Sequence, residues 1–158
     1  MTPYQSGTSD ARTQPGRVRQ QHCARQLALP TVAESVGVAR QATRDALAAW
    51  RMTHLEETAV LLVSELVTNV VRHAEAFPAF LMLRLETANA WLRIEVHDAD
   101  PSWPRQRTPA SLDESGFGIM LVHALADRWG VSEVPPGKAV WAELKDRTDC
   151  EARVGNGW

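Results

Sequence analysis

Phe80-Leu-Met-Leu-Arg-Leu-Glu-Thr-Ala-Asn-Ala-Trp-Leu-Arg-Ile-Glu-Val-His-Asp98 alternates apolar and polar side chains on either side of a short polar break. Successive side chains of an extended chain point to opposite faces, so Leu81, Leu83 and Leu85 share one face, as do Leu92, Ile94 and Val96. The pattern predicts strands over Phe80–Glu86 and Trp91–His97, joined through Thr87-Ala88-Asn89-Ala90 as a hairpin. A sheet with one apolar face needs a layer of helices on that face only.

The flanking sequence supplies that layer. Arg25–Leu29 is a short strand candidate stopped by Pro30. Thr31 and Glu34 have the spacing of a capping box for a first helix. Val32, Val36, Ala39, Ala42, Ala46, Leu47 and Trp50 recur along it at helical spacing. A second helix is expected over Leu55–Ala74 and a third over Gly118–Ala126. Asp100–Gly116 is a loop with Pro101, Pro104 and Pro109. Two more strands, Trp129–Val134 and Ala139–Leu144, follow, with Pro135-Pro136-Gly137 as their turn. The predicted class is α+β: a two-layer α/β sandwich whose mixed, mostly antiparallel sheet carries helices on one face.

The 158 residues fit one domain, expected over 24–144, between tails at 1–22 and 145–158. A 44% hydrophobic fraction suffices for a core without staples. A net charge of −2 argues against a nucleic-acid binder, which needs a basic surface. The two cysteines, Cys23 and Cys150, have no metal-ligand partners nearby in sequence and read as reduced thiols. The first residues lack the apolar core of a signal peptide, and no apolar run is long enough for a span. A cytoplasmic protein that binds neither membrane nor nucleic acid is expected.

Three segments carry chemistry. In Glu65-Leu-Val-Thr-Asn69-Val-Val-Arg72-His73 the four named side chains fall in one column of a helix. An amide oxygen there suits magnesium, and a guanidinium suits phosphate oxygens. The plainer reading is the wet side of an amphipathic helix backed by Val63, Leu66, Val67, Val70 and Val71, with Leu61 and Leu62 covering part of it. In Ile94-Glu-Val-His-Asp98 a strand ends on an acceptor that could take an adenine amine proton; the plainer reading is a turn cap. In Gly116-Phe117-Gly118-Ile119 two glycines open a helix, where backbone amides can meet phosphate. It lacks the third glycine of a dinucleotide fingerprint and the Lys-Ser/Thr of a P-loop.

Taken together and in this order, the three segments resemble the GHKL (Bergerat-fold) ATPases. The nearest resemblance is to the anti-sigma-factor serine/threonine kinases of actinobacterial type. It rests on Ser64-Glu-Leu-Val-Thr-Asn69-Val-Val-Arg-His73, on Asp98, on Glu114-Ser-Gly116-Phe-Gly118-Ile-Met-Leu-Val, and on Gly137-Lys-Ala-Val-Trp141. The resemblance implies ATP and Mg2+ as cofactors, with Asn69 ligating the metal and Glu65 as catalytic base. It implies that Asp98 reads adenine, that Arg72 and His73 border the nucleotide, and that Gly116, Phe117, Gly118 and Ile119 wrap the phosphates. It also implies an anti-anti-sigma protein and a sigma factor as partners, with homodimerisation. Where the family often has Gly or Ser two residues after its aspartate, this chain has Asp100. Where a closing-strand Thr often helps hold adenine, the candidate positions are Lys138 and Ala139. The alternative is an ATP-dependent regulatory binding module with little or no kinase activity. A sensor histidine kinase fragment is disfavoured, because the segment before the domain is short for a dimerisation hairpin.

Overall fold

The computed structural model of the protein describes residues 22–73, 80–99 and 117–148. Strand β1 (Cys23–Pro30) leads into helix α1 (Glu34–Ala49). A 3-10 turn (Thr53–Leu55) leads into α2 (Glu56–His73). The hairpin β2 (Phe80–Ala88) and β3 (Trp91–Asp98) follows, then α3 (Phe117–Leu125), β4 (Arg128–Val134) and β5 (Gly137–Lys145). The strands form one sheet in the order β1-β2-β3-β5-β4. Every pairing among the described residues is antiparallel. This is the expected α+β sandwich.

The strand alternation sets the two layers. Leu81, Leu83, Leu85, Leu92, Ile94 and Val96 are all buried on the face that meets the helices. Leu62, Val63, Leu66 and Val67 of α2 and Leu47 of α1 close the core from the other side. Leu62 is fully buried, whereas Leu61, expected to shield the polar side of α2, is 39% exposed. Val32, expected on the buried face of the first helix, is exposed as well. The reason is that α1 begins later than the Thr31 signal suggests. Its cap position is Ala33, with no side-chain cap bond, and the Ser35 hydroxyl donates to the Pro30 carbonyl at 2.6 Å. A serine inside the first turn thus ties the helix back to β1, and the Thr31–Glu34 box does not form.

The opposite sheet face is closed by polar and aromatic side chains. Arg93 lies 4.2 Å over the Trp141 ring and bonds to Glu95 and Glu143 at 2.5 and 2.7 Å. Burial raises the Glu95 carboxyl, but hydrogen bonds from Arg93 and His97 more than offset it and hold it below the ordinary range. Trp141 itself lies over Gly130, where an added Cβ would meet its ring at 2.6 Å. The Trp141 indole donates to Ser132 at 3.2 Å. Arg128 covers Trp91 at 4.3 Å. Cations stacked on indoles cover the apolar rings of this face.

The hairpin loop is shorter than Thr87–Ala90. Ala88 pairs with Trp91, leaving Asn89 and Ala90 as a two-residue turn with φ of 53° and 61°. Such turns need left-handed conformations, which asparagine tolerates and alanine adopts only at a cost. The Ala90 Cβ costs about 1–2 kcal/mol in that region, while glycine loses about 0.5–1 kcal/mol more entropy on ordering. Ala90→Gly should therefore stabilise the fold by about 0.5–1 kcal/mol. A higher denaturation midpoint with unchanged slope is the expected readout.

Candidate functional site

Helix α2 carries the first group of candidate residues. Its buried face is Ala59, Leu62, Val63, Leu66, Val67 and Val70. Glu65 and Asn69 stand one turn apart on a half-buried stripe along the edge of that face. Ser64, next in sequence, is buried on another side, where its hydroxyl accepts from Arg40 of α1 at 2.7 Å. Consecutive helix residues are turned by about 100°, so the Glu65–Asn69 stripe points away from α1. The other helix packed on α2 is α3. Arg72 is exposed near the end of α2, and His73 is its last residue.

Strand β3 carries the second. Leu92, Ile94 and Val96 face the helices, so Asp98 falls on the same face two residues on. Asp98 pairs with Lys138 across β3 and β5, and His97 pairs with Ala139. Register therefore separates the two closing-strand candidates. Lys138 shares the Asp98 face, and its ammonium lies 3.3 Å from Asp98 Oδ1, with the two side chains only 12% and 10% exposed. Ala139 is buried on the opposite side, next to Ser132 in register. The next residue in the turn explains Gly137. A Cβ there would meet the Ala99 backbone at 2.6 and 2.7 Å and the Asp98 carbonyl oxygen closer still. The β4–β5 turn thus lies directly against the chain that leaves Asp98.

A cavity at the other end of the sheet shows the relative directions of α2, α3, β3 and β5. It measures about 350 Å³ and is lined by Thr58 near the start of α2, Leu125 at the end of α3 and Lys145 at the end of β5. Lys145 pairs with Trp91, the start of β3. Helix α2 therefore runs in the same direction as β3. Asn69 lies roughly 16 Å from Thr58, toward the Asp98 end, at ~1.5 Å per residue. Helix α3 runs the opposite way, so its N-terminal end also lies toward Asp98. The cavity end is tied by other contacts: Asp146 accepts from Thr148 and pairs with His54, and its N–H donates to the Ala90 carbonyl at 2.7 Å.

The structure thus brings the second half of α2, Asp98 and the start of α3 to one end of the sandwich. Phe117 and Gly118 take part as the first backbone positions of α3, and Ile119 is half-buried behind them. Gly116 and Asp100 lie outside the described residues. The residues that sequence reasoning passed over are Gly137, and Lys138 as a partner of Asp98; both depend on the β3–β5 register. Among the described residues no cluster of three or more His, Cys, Asp or Glu side chains could hold a metal. No described helix is long and apolar enough to cross a membrane.

The family model of the histidine kinase-like ATPase domain matches residues 29–144. The chain belongs to this family. The matched span runs from the end of β1 to the end of β5 and so contains all three candidate segments. Among solved structures, the RsbU and RsbW domains of Rv1364c from Mycobacterium tuberculosis superimpose with a TM-score of 0.60 at 16% identity. The match covers 78% of this chain and 32% of that one, so the chain spans about a third of that protein. At that identity the likeness is one of fold. No curated protein matches the chain. Membership of a histidine kinase-like ATPase family makes ATP the implied ligand.

For an ATPase domain of this kind the close approach at Gly137 has a measurable consequence. A side chain there must push the β4–β5 turn off the end of β3. Gly137→Ala should destabilise by about 1–3 kcal/mol, the usual cost of overpacking. A wild-type denaturation midpoint in this variant would show that the strand end yields freely.

Proposed function

We propose that this protein is an ATP-dependent serine/threonine kinase of the anti-sigma-factor type, phosphorylating an anti-anti-sigma protein and holding a sigma factor as its alternative partner. The observation that carries the reading is the half-buried Glu65–Asn69 stripe on α2, which runs toward the Asp98 end of the sheet. The resemblance of the three motifs to that kinase group supplies the rest. The RsbW domain in the similar structure is consistent with it, as a likeness of fold.

The donor chemistry fits a hard cation. Asn69 offers an amide oxygen at a half-exposed position, which suits magnesium held by one side chain with water and phosphate oxygens in its other positions. When bound, the ion neutralises charge on the phosphates. The protein then has two tasks. Asp98 accepts from the adenine amine and fixes the base. Glu65, one turn from Asn69, takes the proton of the partner's serine or threonine hydroxyl as that oxygen bonds to the γ-phosphorus. The bond from the γ-phosphorus to the bridging oxygen breaks and ADP leaves. Positioning and charge stabilisation dominate such transfers, so a short list of residues suffices. Arg72 and His73 border the nucleotide, and the Gly116–Ile119 segment wraps the phosphates. We place the domain at 24–144, with tails before and after it, in the cytoplasm and able to form a homodimer.

Two substitutions test the assignment. Asn69→Ala lies off the buried face and should abolish Mg-ATP binding while leaving the fold intact; unchanged affinity by calorimetry would defeat the metal role. Glu65→Gln should bind ATP almost normally and lose phosphoryl transfer by roughly 10²–10⁴-fold. Labelled ATP with antagonist proteins encoded nearby gives the readout, and undiminished transfer would place the base elsewhere. The second reading, a regulatory module that binds ATP with little transfer, is favoured by one observation: Lys138 engages an oxygen of Asp98. Wild-type protein that binds ATP but transfers no phosphate selects it.

A further inference from the structure

We propose that Ser64, held by Arg40 of α1, is a positioning residue that sets the rotation of α2 and so aims Glu65 at its proton. The inference rests on the reading of Glu65 as the base for phosphoryl transfer and adds a residue to that same site. Ser64 immediately precedes Glu65 and is only 5% exposed. Its hydroxyl makes two bonds of 2.7 Å, one with the Val60 carbonyl oxygen and one with Arg40 Nε. The direction of both is forced. A carbonyl only accepts and a guanidinium only donates. The single hydroxyl proton therefore goes to Val60, and a lone pair of Ser64 Oγ receives the N–H of Arg40.

The rest of α1 gives α2 little directional hold. Its buried side chains include Ala39, Ala42, Thr43, Ala46 and Leu47, and the Thr43 hydroxyl is spent on the Ala39 carbonyl of its own helix at 2.8 Å. Apolar contacts are non-directional, so they press two helices together without choosing sharply between neighbouring rotations. Among the described residues, the other ion pair or side-chain hydrogen bond between α1 and α2 is Arg44 to Glu56 at 3.4 Å. It joins side chains 43% and 39% exposed, over two turns before Glu65, and such a pair contributes little. The Arg40–Ser64 bond is thus the directional contact beside the Glu65–Asn69 stripe. Whatever turns Ser64 about the helix axis turns Glu65 by the same angle. The Val60 bond acts in the same place, because a serine bonded back to the carbonyl four residues earlier bends its helix. A general base must come within hydrogen-bond reach of its proton, and a misplacement of about 1 Å can cost roughly 10²-fold in rate.

The experiment compares the whole chain with Ser64→Ala, Arg40→Met and the double variant. Alanine is the best helix former, so Ser64→Ala keeps α2 helical, and methionine keeps an apolar stem at position 40. Steady-state transfer from labelled Mg-ATP to the antagonist protein gives kcat and both KM values. Each single variant should lose kcat by roughly 10–10²-fold, with KM for Mg-ATP and for the antagonist protein within about threefold of wild type. The double variant should be no slower than the slower single variant, since both changes remove one bond. A residue that only stabilised the fold would leave kcat per folded molecule unchanged. Wild-type kcat in Ser64→Ala, or losses that multiply in the double variant, overturn the inference and leave the proposed function standing. So does a rise in KM for the antagonist protein in Arg40→Met at unchanged kcat, which would make Arg40 a partner contact. Wild-type protein that binds ATP and transfers no phosphate overturns the kinase reading and this inference together.

Discussion

Burial of Leu92, Ile94 and Val96 against the helix layer holds β3 in one register, and the position of Asp98 follows from it. A slip of one residue would send all three side chains to the polar face and turn Asp98 away from α2. The same register sets β5, because β3 is the strand between β2 and β5. Lys138 then meets Asp98, and Gly137 lies against the chain that leaves it. A hydrophobic requirement thus positions a charged pair that makes no contribution to the apolar core.

The two sheet faces solve different problems. The helix face buries leucine, isoleucine and valine and supplies most of the driving force for folding. Among the described residues the other face is lined by polar and aromatic side chains anchored through Arg93, Glu95, Glu143 and the stacked Trp141 and Trp91. Such partly exposed ion pairs contribute little each. Their effect is to cover indole rings and keep the second face polar. The candidate residues of α2 and Asp98 then gather toward one end of the sandwich, where the ends of β3 and β5 lie.

Helix α2 combines a packing face with two of the candidate residues. Its core side is continuous from Ala59 to Val70. Ser64 is spent on α1 through Arg40. Glu65 and Asn69 occupy the strip between the core and solvent, sheltered enough to be held and open enough to meet a ligand. That strip gives a carboxylate and an amide their spacing by helix geometry alone, within the span matched by the histidine kinase-like ATPase family.

The strands, the helices and the Glu65–Asn69 column were legible in the sequence because each follows from a period within one element. The hydrophobic alternation of Phe80–Asp98 sufficed for the hairpin, and helical spacing sufficed for α1 and α2. The start of α1 was misread, because Thr31 carries a capping signal and nothing local reveals that Ser35 reaches the Pro30 carbonyl instead. The choice between Lys138 and Ala139 could not be made from sequence at all. Both are adjacent on one strand, and which of them faces Asp98 depends on pairing between segments 40 residues apart. That pairing is fixed by burying the strands against α2, so only the tertiary structure decided what stands beside Asp98.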